Sequence, residues 1–376
     1  MEIKLWIFDT SWFISLLAFI AVAISLNLEA GYTGIPNFGK TVFVFVGAWA
    51  AAGIGVRIAG WLIQVIDPAF ASEVLGRINA IYPGLQVDSL AKAAAMVDPF
   101  NTNKIVVPEI TAYLQQHLGV AILLFIILIV VTGIIAAIFG VAASYAAVRL
   151  KEDYLAILLL AFSEAMVSVL FDQNMTLNGG NQGLWAITFT SDPLLFSLAL
   201  TAAIAVLTFI YAELIGNSPM GRAMRAVRDD EIAASVFGRD VAKIRLKVIV
   251  IASIIAALAG FAYAQGNSYV KSANYTRVVW TFIPWAMIIL GGMANNRGVL
   301  LGVIVFMVGK RIIEAYSGSI DALLGLEPGT ISGVLPNIFT GILILLVLYL
   351  RPQGILPEQP SKTADFRKIL EEVPPE

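Results

Sequence analysis

Cysteine is absent from this 376-residue chain, and histidine occurs once, at His117. These absences exclude disulfide bonds, thiolate catalysis and cysteine-ligated metal sites. Charged residues are also scarce: they make up 13% of the chain, against about 25% in soluble domains. Hydrophobic residues make up 59%, so the chain could not cover a water-facing surface of ordinary size. The composition therefore predicts a polytopic integral membrane protein.

Several catalytic signatures are also missing from the sequence. It contains no Walker-type glycine loop, no nucleophile with a neighbouring base and no cluster of metal-ligand residues. Spans of roughly 20 apolar residues use up most of the length, leaving no room for a soluble ATPase domain. The net charge of −2, without a long basic stretch, gives no indication of nucleic-acid binding. We therefore expect a chain that is not an enzyme and holds no metal or cofactor of its own.

Long apolar runs are what the sequence does contain. The fold class they predict is all-α, a transmembrane helix bundle of about 8–10 spans with broken or re-entrant segments. Two runs are irregular, because one carries Glu164 near its middle and another is short and contains Pro284. The nine runs lie at about residues 12–28, 40–66, 119–148, 154–171, 194–216, 247–266, 279–292, 298–317 and 335–350.

The distribution of basic residues predicts the orientation. Residues 217–247 contain seven Lys and Arg, whereas residues 173–193 contain none. Because cytoplasmic loops are enriched in Lys and Arg, residues 217–247 are predicted to face the cytoplasm, together with a tail at 351–376. Within a transmembrane domain at 1–350, residues 67–118 form an extracytoplasmic, partly helical insert. This insert is either a cap or docking surface, or a solvated connection.

The cytoplasmic segment 217–238 reads NSPMGRAMRAVRDDEIAASVFG. Asn217 or Ser218 can cap a helix that has Pro219 in its first turn, and Gly238 is a natural stop. Apolar and small residues recur between them at three- and four-residue steps, which predicts one short amphipathic helix outside the bilayer. Such a helix is either gripped by a motor subunit or anchored to lipid phosphates by its arginines.

This segment resembles the cytoplasmic loop of LivM-type permeases, the branched-chain amino acid family of ATP-binding-cassette importers. Its Glu231, Ala233-Ala234 and Gly238 spacing is similar to the coupling motif of such importers. Five further landmarks follow the family's order, at residues 28–47 (LEAGYTGIPNFGKTVFVFVG), 150–164 (LKEDYLAILLLAFSE), 179–184 (GGNQGL), 290–293 (LGGM) and 351–354 (RPQG). Departures at residues 36–40 and 177–178, and the long insert, leave a permease for urea or short-chain amides open as an alternative.

The resemblance implies a complex. Its partners would be two cytoplasmic ATP-binding subunits that use ATP, a second permease subunit, related or identical, and an extracytoplasmic solute-binding protein. This chain would translocate leucine, isoleucine or valine; a secondary transporter or channel is the more distant alternative. The residues implied in ATPase coupling are Gly221, Arg222, Arg225, Arg228, Glu231, Ala233, Ala234 and Gly238.

A substrate pathway is expected where glycines interrupt the apolar runs. Gly31, Gly34 and Gly39 predict either a non-helical break at membrane depth or an ordinary turn between the first two spans. An ionised Glu164 at mid-bilayer would cost roughly 2.5–3.5 kcal/mol, so we expect it to face the bundle interior with a partner. Gly291-Gly292 permits close helix packing or forms a hinge. The expected pathway residues are Gly31, Tyr32, Thr33, Gly34, Asn37, Gly39, Glu164, Gly179, Gly180, Gly291 and Gly292.

Overall fold

The structure is a computed structural model that describes residues 8–81, 87–93, 99–150, 152–170, 183–323, 334–350 and 353–358. These residues are almost entirely helical, which confirms the predicted all-α class. A short antiparallel pair, β1 (Leu184–Trp185) and β2 (Tyr269–Val270), is the exception within the described part. The α-helices are α1 (Thr10–Leu26), α2 (Lys40–Trp49), α3 (Gly55–Ile66), α4 (Pro68–Ile81), α5 (Leu90–Ala93), α6 (Pro99–Gln116), α7 (Leu118–Arg149), α8 (Glu152–Leu170), α9 (Pro193–Gly216), α10 (Pro219–Asp229), α11 (Glu231–Val236), α12 (Val241–Asn267), α13 (Ile283–Gly291), α14 (Asn296–Leu323) and α15 (Leu335–Leu350).

Each of the nine apolar runs coincides with helix, so the chain is a multi-pass membrane protein. Two shorter apolar helices, Tyr154–Val169 and Val278–Gly291, coincide with the two irregular runs. Five helical stretches are long and apolar enough to cross a bilayer: Thr10–Gly31, Lys40–Ile66, Leu118–Tyr145, Pro193–Gly216 and Val241–Asn267.

The two ends of helix α12 define the two ends of the bundle. It starts within the basic segment 217–247, and we call that end of the bundle the basic end. At the other end of α12, Gly266 lies against Ser197 of α9 and Ile14 of α1. Helices α1 and α9 therefore begin where α12 finishes, and this is called the opposite end.

Helix α12 also forms the centre of the packing, with α2 and α7 on its sides. A Cβ atom at Gly47 of α2 would clash with the carbonyl of Ala257, and one at Gly260 would clash with that of Val44. The two backbones touch because neither glycine carries a side chain. Close approach through small residues is a usual way for helices to associate within a membrane.

The first break follows α1 at the basic end. Helix α1 continues into a π-helical turn, Asn27–Gly31, and residues 34–39 have no helical structure. Helix α2 then starts at Lys40, whose Nζ lies 3.3 Å from the carbonyl oxygen of Ala252 near the middle of α12. The chain therefore returns from the basic end to mid-depth before becoming helical again. This supports the break at membrane depth over the ordinary turn.

A second break mirrors the first from the opposite end. After β2, the chain enters a π-helical turn, Val278–Phe282, and continues as α13 towards the basic end. The backbone N–H of Thr41 donates to Thr281 Oγ1 at 3.1 Å, so this helix starts beside the start of α2. Its fourteen residues span about 20 Å, short of the roughly 30 Å of a hydrocarbon core. The long helical stretch Lys40–Ile66 and the half-length helix Val278–Gly291 thus begin side by side at mid-depth and run in opposite directions.

The described part of the insert at residues 67–118 is mainly helical, as α4, α5 and α6. It packs through an apolar side that includes Val74, Ile78 and Leu90. The side-chain amide of Gln115 donates to the carbonyl of Thr190, shortly after β1, so the insert lies at the opposite end. Its extracytoplasmic location stays a prediction.

Candidate coupling and translocation site

The predicted single helix over residues 219–238 is wrong: the segment forms two helices, α10 and α11. Asp230 between them is extended, with φ −157° and ψ 107°, and its carboxylate accepts from the N–H of Ala233 at 2.9 Å. The aspartate therefore caps a new helix instead of continuing the old one. The predicted N-cap is confirmed at Ser218, and Gly238 has a φ of +77°, which suits its expected role as the stop.

Helix α10 lies against the basic end of the bundle. The side of α10 that faces the bundle is buried and consists of Gly221, Ala223, Met224 and Val227. A Cβ at Gly221 would clash with the carbonyl oxygens of the last turn of α9, so this glycine holds α10 close to that helix end. Arg222 points outward and is exposed.

Helix α11 is arranged differently from the expectation for Ala233-Ala234. Ala234 is buried within the chain and Ala233 is half-buried, so these small residues do not offer an open surface. Glu231 is occupied by an ion pair with Arg245 at 2.9 Å. The exposed apolar residues of α11 and its C-cap are Ile232, Val236 and Phe237, which are 77%, 78% and 85% exposed. Sequence reasoning missed them because it weighed small residues rather than isolated large ones.

Two arginines of α10 point back into the chain. Arg228 Nη1 donates to the backbone carbonyl of Gly31 at 2.7 Å, and Arg225 lies over the Tyr32 ring at 4.9 Å. Burial lowers the pKa of Arg228, but hydrogen bonds from its guanidinium to Glu358 and Asp229 outweigh this and leave the pKa above its ordinary value. The residue therefore stays charged, and α10 is tied directly to the first break.

A short piece of the C-terminal region, residues 353–358, connects α10 to the end of α13; we call it the C-terminal strap. The N–H groups of Ile355 and Leu356 donate to the carbonyls of Leu290 and Gly291, each at 2.9 Å. Glu358 in turn forms ion pairs of 3.0 Å with both Arg225 and Arg228. The predicted Arg351-Pro352 that precedes the strap lies outside the described residues.

The Gly291-Gly292 pair packs closely against its neighbours, which is one of the two readings offered for it, while the hinge stays a prediction. Gly291 packs against Gly298 at the start of α14, as close packing requires. Gly292 has a φ of +113°, and a Cβ there would clash with the Leu356 carbonyl of the strap. Only glycine combines this backbone conformation with this approach.

The first break encloses an ion pair that sequence reasoning missed. Lys40 Nζ lies 2.8 Å from Glu29 Oε2, and both side chains are fully buried. Asn37 donates to the other Glu29 oxygen at 3.0 Å and accepts from the Gly39 N–H. Thr33 Oγ1 donates to the Leu28 carbonyl, so the broken backbone is satisfied by protein. The sequence does contain a signal for this ion pair: Glu29 and Lys40 carry opposite charges and flank a glycine-rich stretch in an apolar setting.

Glu164 lies at mid-depth, but not in the interior of this chain. Its side chain is 47% exposed, so the expected burial is not observed. The expected partner is present, since Arg277 Nε lies 3.7 Å from Glu164 Oε1. The preceding residue, Ser163, accepts from the N–H of Val42 at the start of α2. The pair therefore lies beside the point where the helices Lys40–Ile66 and Val278–Gly291 begin.

The structure brings together most of the predicted pathway residues around the two breaks. Gly179 and Gly180 lie outside the described residues. Within the described part of the chain, no group of three or more His, Asp or Glu side chains could hold a metal ion. The arrangement is a membrane bundle with irregular backbone at its centre and a surface element tied to it.

Comparison with known proteins agrees with this arrangement. The chain is 34% identical over 363 residues, 94% of each protein, to the probable branched-chain amino acid transport permease protein LivM of Methanocaldococcus jannaschii. It is 27% and 26% identical to the high-affinity branched-chain amino acid permease proteins LivM of Escherichia coli and Salmonella typhimurium, over 60% of this chain and 56% of each relative. No solved structure matches the chain. The family model for the permease component of branched-chain amino acid transport systems matches residues 10–349, and the chain belongs to that family.

Proposed function

We propose that this chain is the membrane-spanning subunit of an ATP-driven importer of branched-chain amino acids, with the ATP hydrolysed by separate subunits. The basic end and the C-terminus face the cytoplasm. The complex would contain two ATP-binding subunits, a second permease subunit and an extracytoplasmic binding protein. The importer moves leucine, isoleucine or valine, as the names of its relatives suggest.

One observation supports the proposal above all: α10 and α11 together have an exposed apolar surface on one side, and on the other side α10 contacts the first break. The outward side offers Ile232, Val236 and Phe237, three exposed apolar residues on a segment with strongly charged neighbours. The inward side holds Gly31 through the hydrogen bond from Arg228. An element with both contacts suits the transfer of movement from a docked ATPase to the pathway.

The mechanism follows from these contacts. When the ATP-binding subunits close, they displace α10 and α11 as a unit. Arg228 and Arg225 carry the displacement to residues 31–32, and Glu358 carries it through the C-terminal strap to the end of α13. The helices that begin at Lys40 and Val278 then move relative to the rest of the bundle, which alternates access between the two ends.

The test uses the complex reconstituted from this chain, its second permease, the ATP-binding subunits and the binding protein. Phe237→Asp places a charge where an apolar contact is proposed. We expect ATP hydrolysis stimulated by leucine-loaded binding protein to fall about tenfold or more, as for a central interface residue. The ATP-binding subunits should also dissociate from the variant on purification.

Ile81→Asp is the matched control, because Ile81 is an apolar residue of α4 at the opposite end and is 56% exposed. It should retain the ATP-binding subunits on purification. The proposal fails if Phe237→Asp behaves like the control, or if the wild-type complex takes up leucine without ATP.

A further inference from the structure

We propose that Glu164 and Arg277 form the mid-membrane binding site for the charged groups of the transported amino acid, with Phe38 and Phe282 receiving its side chain. Arg277 would bind the carboxylate and Glu164 the ammonium group. This inference rests on the proposed import function and adds to it the chemistry and the position of the site.

The depth of the pair is set by its neighbours. Ser163 adjoins Glu164 and is hydrogen-bonded to the N–H of Val42, and Arg277 immediately precedes the π-helical turn at Val278. The side chains of Thr41 and Thr281 meet at 2.8 Å, which joins the starts of the helices that begin at Lys40 and Val278. The ion pair therefore lies near the middle of the bundle, far from water at either end.

The charge of the pair argues against contact with lipid. The side chains of Arg277 and Glu164 are 52% and 47% exposed in this chain. Charges at the centre of a bilayer face a bundle interior or a water-filled cavity, because hydrocarbon cannot solvate them. This face of the chain must therefore line a pathway, or be covered by the second permease subunit.

A comparison with the other mid-depth ion pair separates a structural role from a binding role. Lys40 and Glu29 are 2.8 Å apart, fully buried and closed off by Asn37. Arg277 and Glu164 are 3.7 Å apart and half-exposed. The first pair has no access for a ligand, whereas the second can open to accept one.

The charges match a zwitterion. A guanidinium can bind a carboxylate through two parallel hydrogen bonds, and a carboxylate can accept from an ammonium group. The helices that begin at Lys40 and Val278 start beside the pair, and helix N-termini favour negative charge. In transporters with broken helices, such N-termini point at the carboxylate of the substrate. On binding, the ion pair between Arg277 and Glu164 would be replaced by two ion pairs, each between one of these residues and the substrate.

An apolar surface lies next to the charges. Val278 and Phe282 are one turn apart on the half-length helix that follows Arg277, and are 53% and 38% exposed. Phe38 stacks on Trp285 with ring centroids 4.8 Å apart and lies 6.0 Å from Phe282. Trp285 is itself held by a hydrogen bond to the Asn37 carbonyl. A branched aliphatic side chain can pack on this surface, which links substrate recognition to the first break.

The test measures equilibrium binding of radiolabelled leucine to the purified wild-type complex, without the binding protein. Competitors are leucinamide, which lacks the carboxylate, and 4-methylpentanoate, which lacks the ammonium group. We expect Arg277→Gln and Glu164→Gln each to weaken leucine binding about tenfold or more, as for loss of a charge-assisted hydrogen bond. Arg277→Gln should also make leucinamide compete as well as leucine, whereas Arg277→Lys should recover part of the affinity.

Arg297→Gln is the control, since Arg297 is 76% exposed and lies at the basic end; its leucine affinity should match the wild type. Wild-type affinity in Arg277→Gln and Glu164→Gln would overturn the inference, as would a wild-type complex that binds no leucine. So would variants that separate into single permease subunits, because the pair would then be an interface contact. A failure of the proposed function itself would give a different result, because leucine uptake by the wild-type complex would then need no ATP.

Discussion

Arg228 of α10 and Gly31 in the π-helical turn of the first break are joined by a hydrogen bond of 2.7 Å from the guanidinium to the backbone carbonyl. The contact links a surface helix to irregular backbone inside the bundle across 197 residues of sequence. A Cβ at Gly34 would also touch the Arg228 side chain, so the arginine lies flat against the break. The two parts cannot move independently while this contact persists.

The first prediction concerns this contact. Arg228→Gln removes the charge-assisted hydrogen bond to Gly31 and the ion pair with Glu358, while leaving the exposed residues of α11 in place. We expect leucine uptake in the reconstituted complex to fall about tenfold or more, whereas the ATP-binding subunits remain bound. Uptake and ATP hydrolysis are measured on the same proteoliposomes, and their ratio reports the loss of coupling.

Arg297→Gln makes the same change of charge at an exposed position of the basic end, and should keep the wild-type ratio of uptake to hydrolysis. Loss of the ATP-binding subunits from Arg228→Gln would contradict the prediction, since Arg228 would then act in docking.

The second prediction concerns the buried pair of Glu29 and Lys40. Lys40→Met leaves the Glu29 carboxylate without its cation in a fully buried site. We expect the free energy of unfolding, followed by chemical denaturation in detergent, to fall by about 3–5 kcal/mol. The double variant Glu29→Gln, Lys40→Met should recover most of this loss, because no unpaired charge remains and replacing both partners is often close to neutral.

The exposed pair of Lys243 and Asp240, 2.9 Å apart, serves as the comparison. Lys243→Met should leave the unfolding curve almost unchanged, since solvent screens this pair. If Lys40→Met were equally mild, Glu29 would have to be neutral in the folded protein.

The sequence predicts the helices well because apolar runs of membrane length have few alternatives to helix. It also points to the first break, since Gly31, Gly34 and Gly39 interrupt an apolar run. The second break is only half visible: Pro284 and a short run indicate irregularity, but not that the helix begins beside Thr41. That meeting is a tertiary contact between residues 240 positions apart.

The candidate site is less predictable for a related reason. Glu164 is identifiable from its apolar surroundings, but its partner Arg277 lies 113 residues further along the chain, and nothing local joins them. The single helix predicted over residues 219–238 failed because a helical period continues through Asp230, while the side chain of that residue caps the next helix. Periodicity describes faces of helices, whereas capping decides where they end.

The last prediction concerns Gly292, where the C-terminal strap meets α13. Gly292→Ala requires a side chain at a φ of +113°, and its Cβ would clash with the Leu356 carbonyl. Backbone strain of this kind costs about 1–3 kcal/mol, and the clash would displace the strap and so weaken the pairing of Glu358 with Arg225 and Arg228. We expect a lower free energy of unfolding and reduced leucine uptake.

Gly341→Ala is the control, and its expected effect has the opposite sign. No atom lies within 4 Å of the Cβ position at Gly341, and alanine stabilises a helix interior by roughly 0.5–1 kcal/mol over glycine. Equal stability of the two variants would show that the strap does not hold the end of α13.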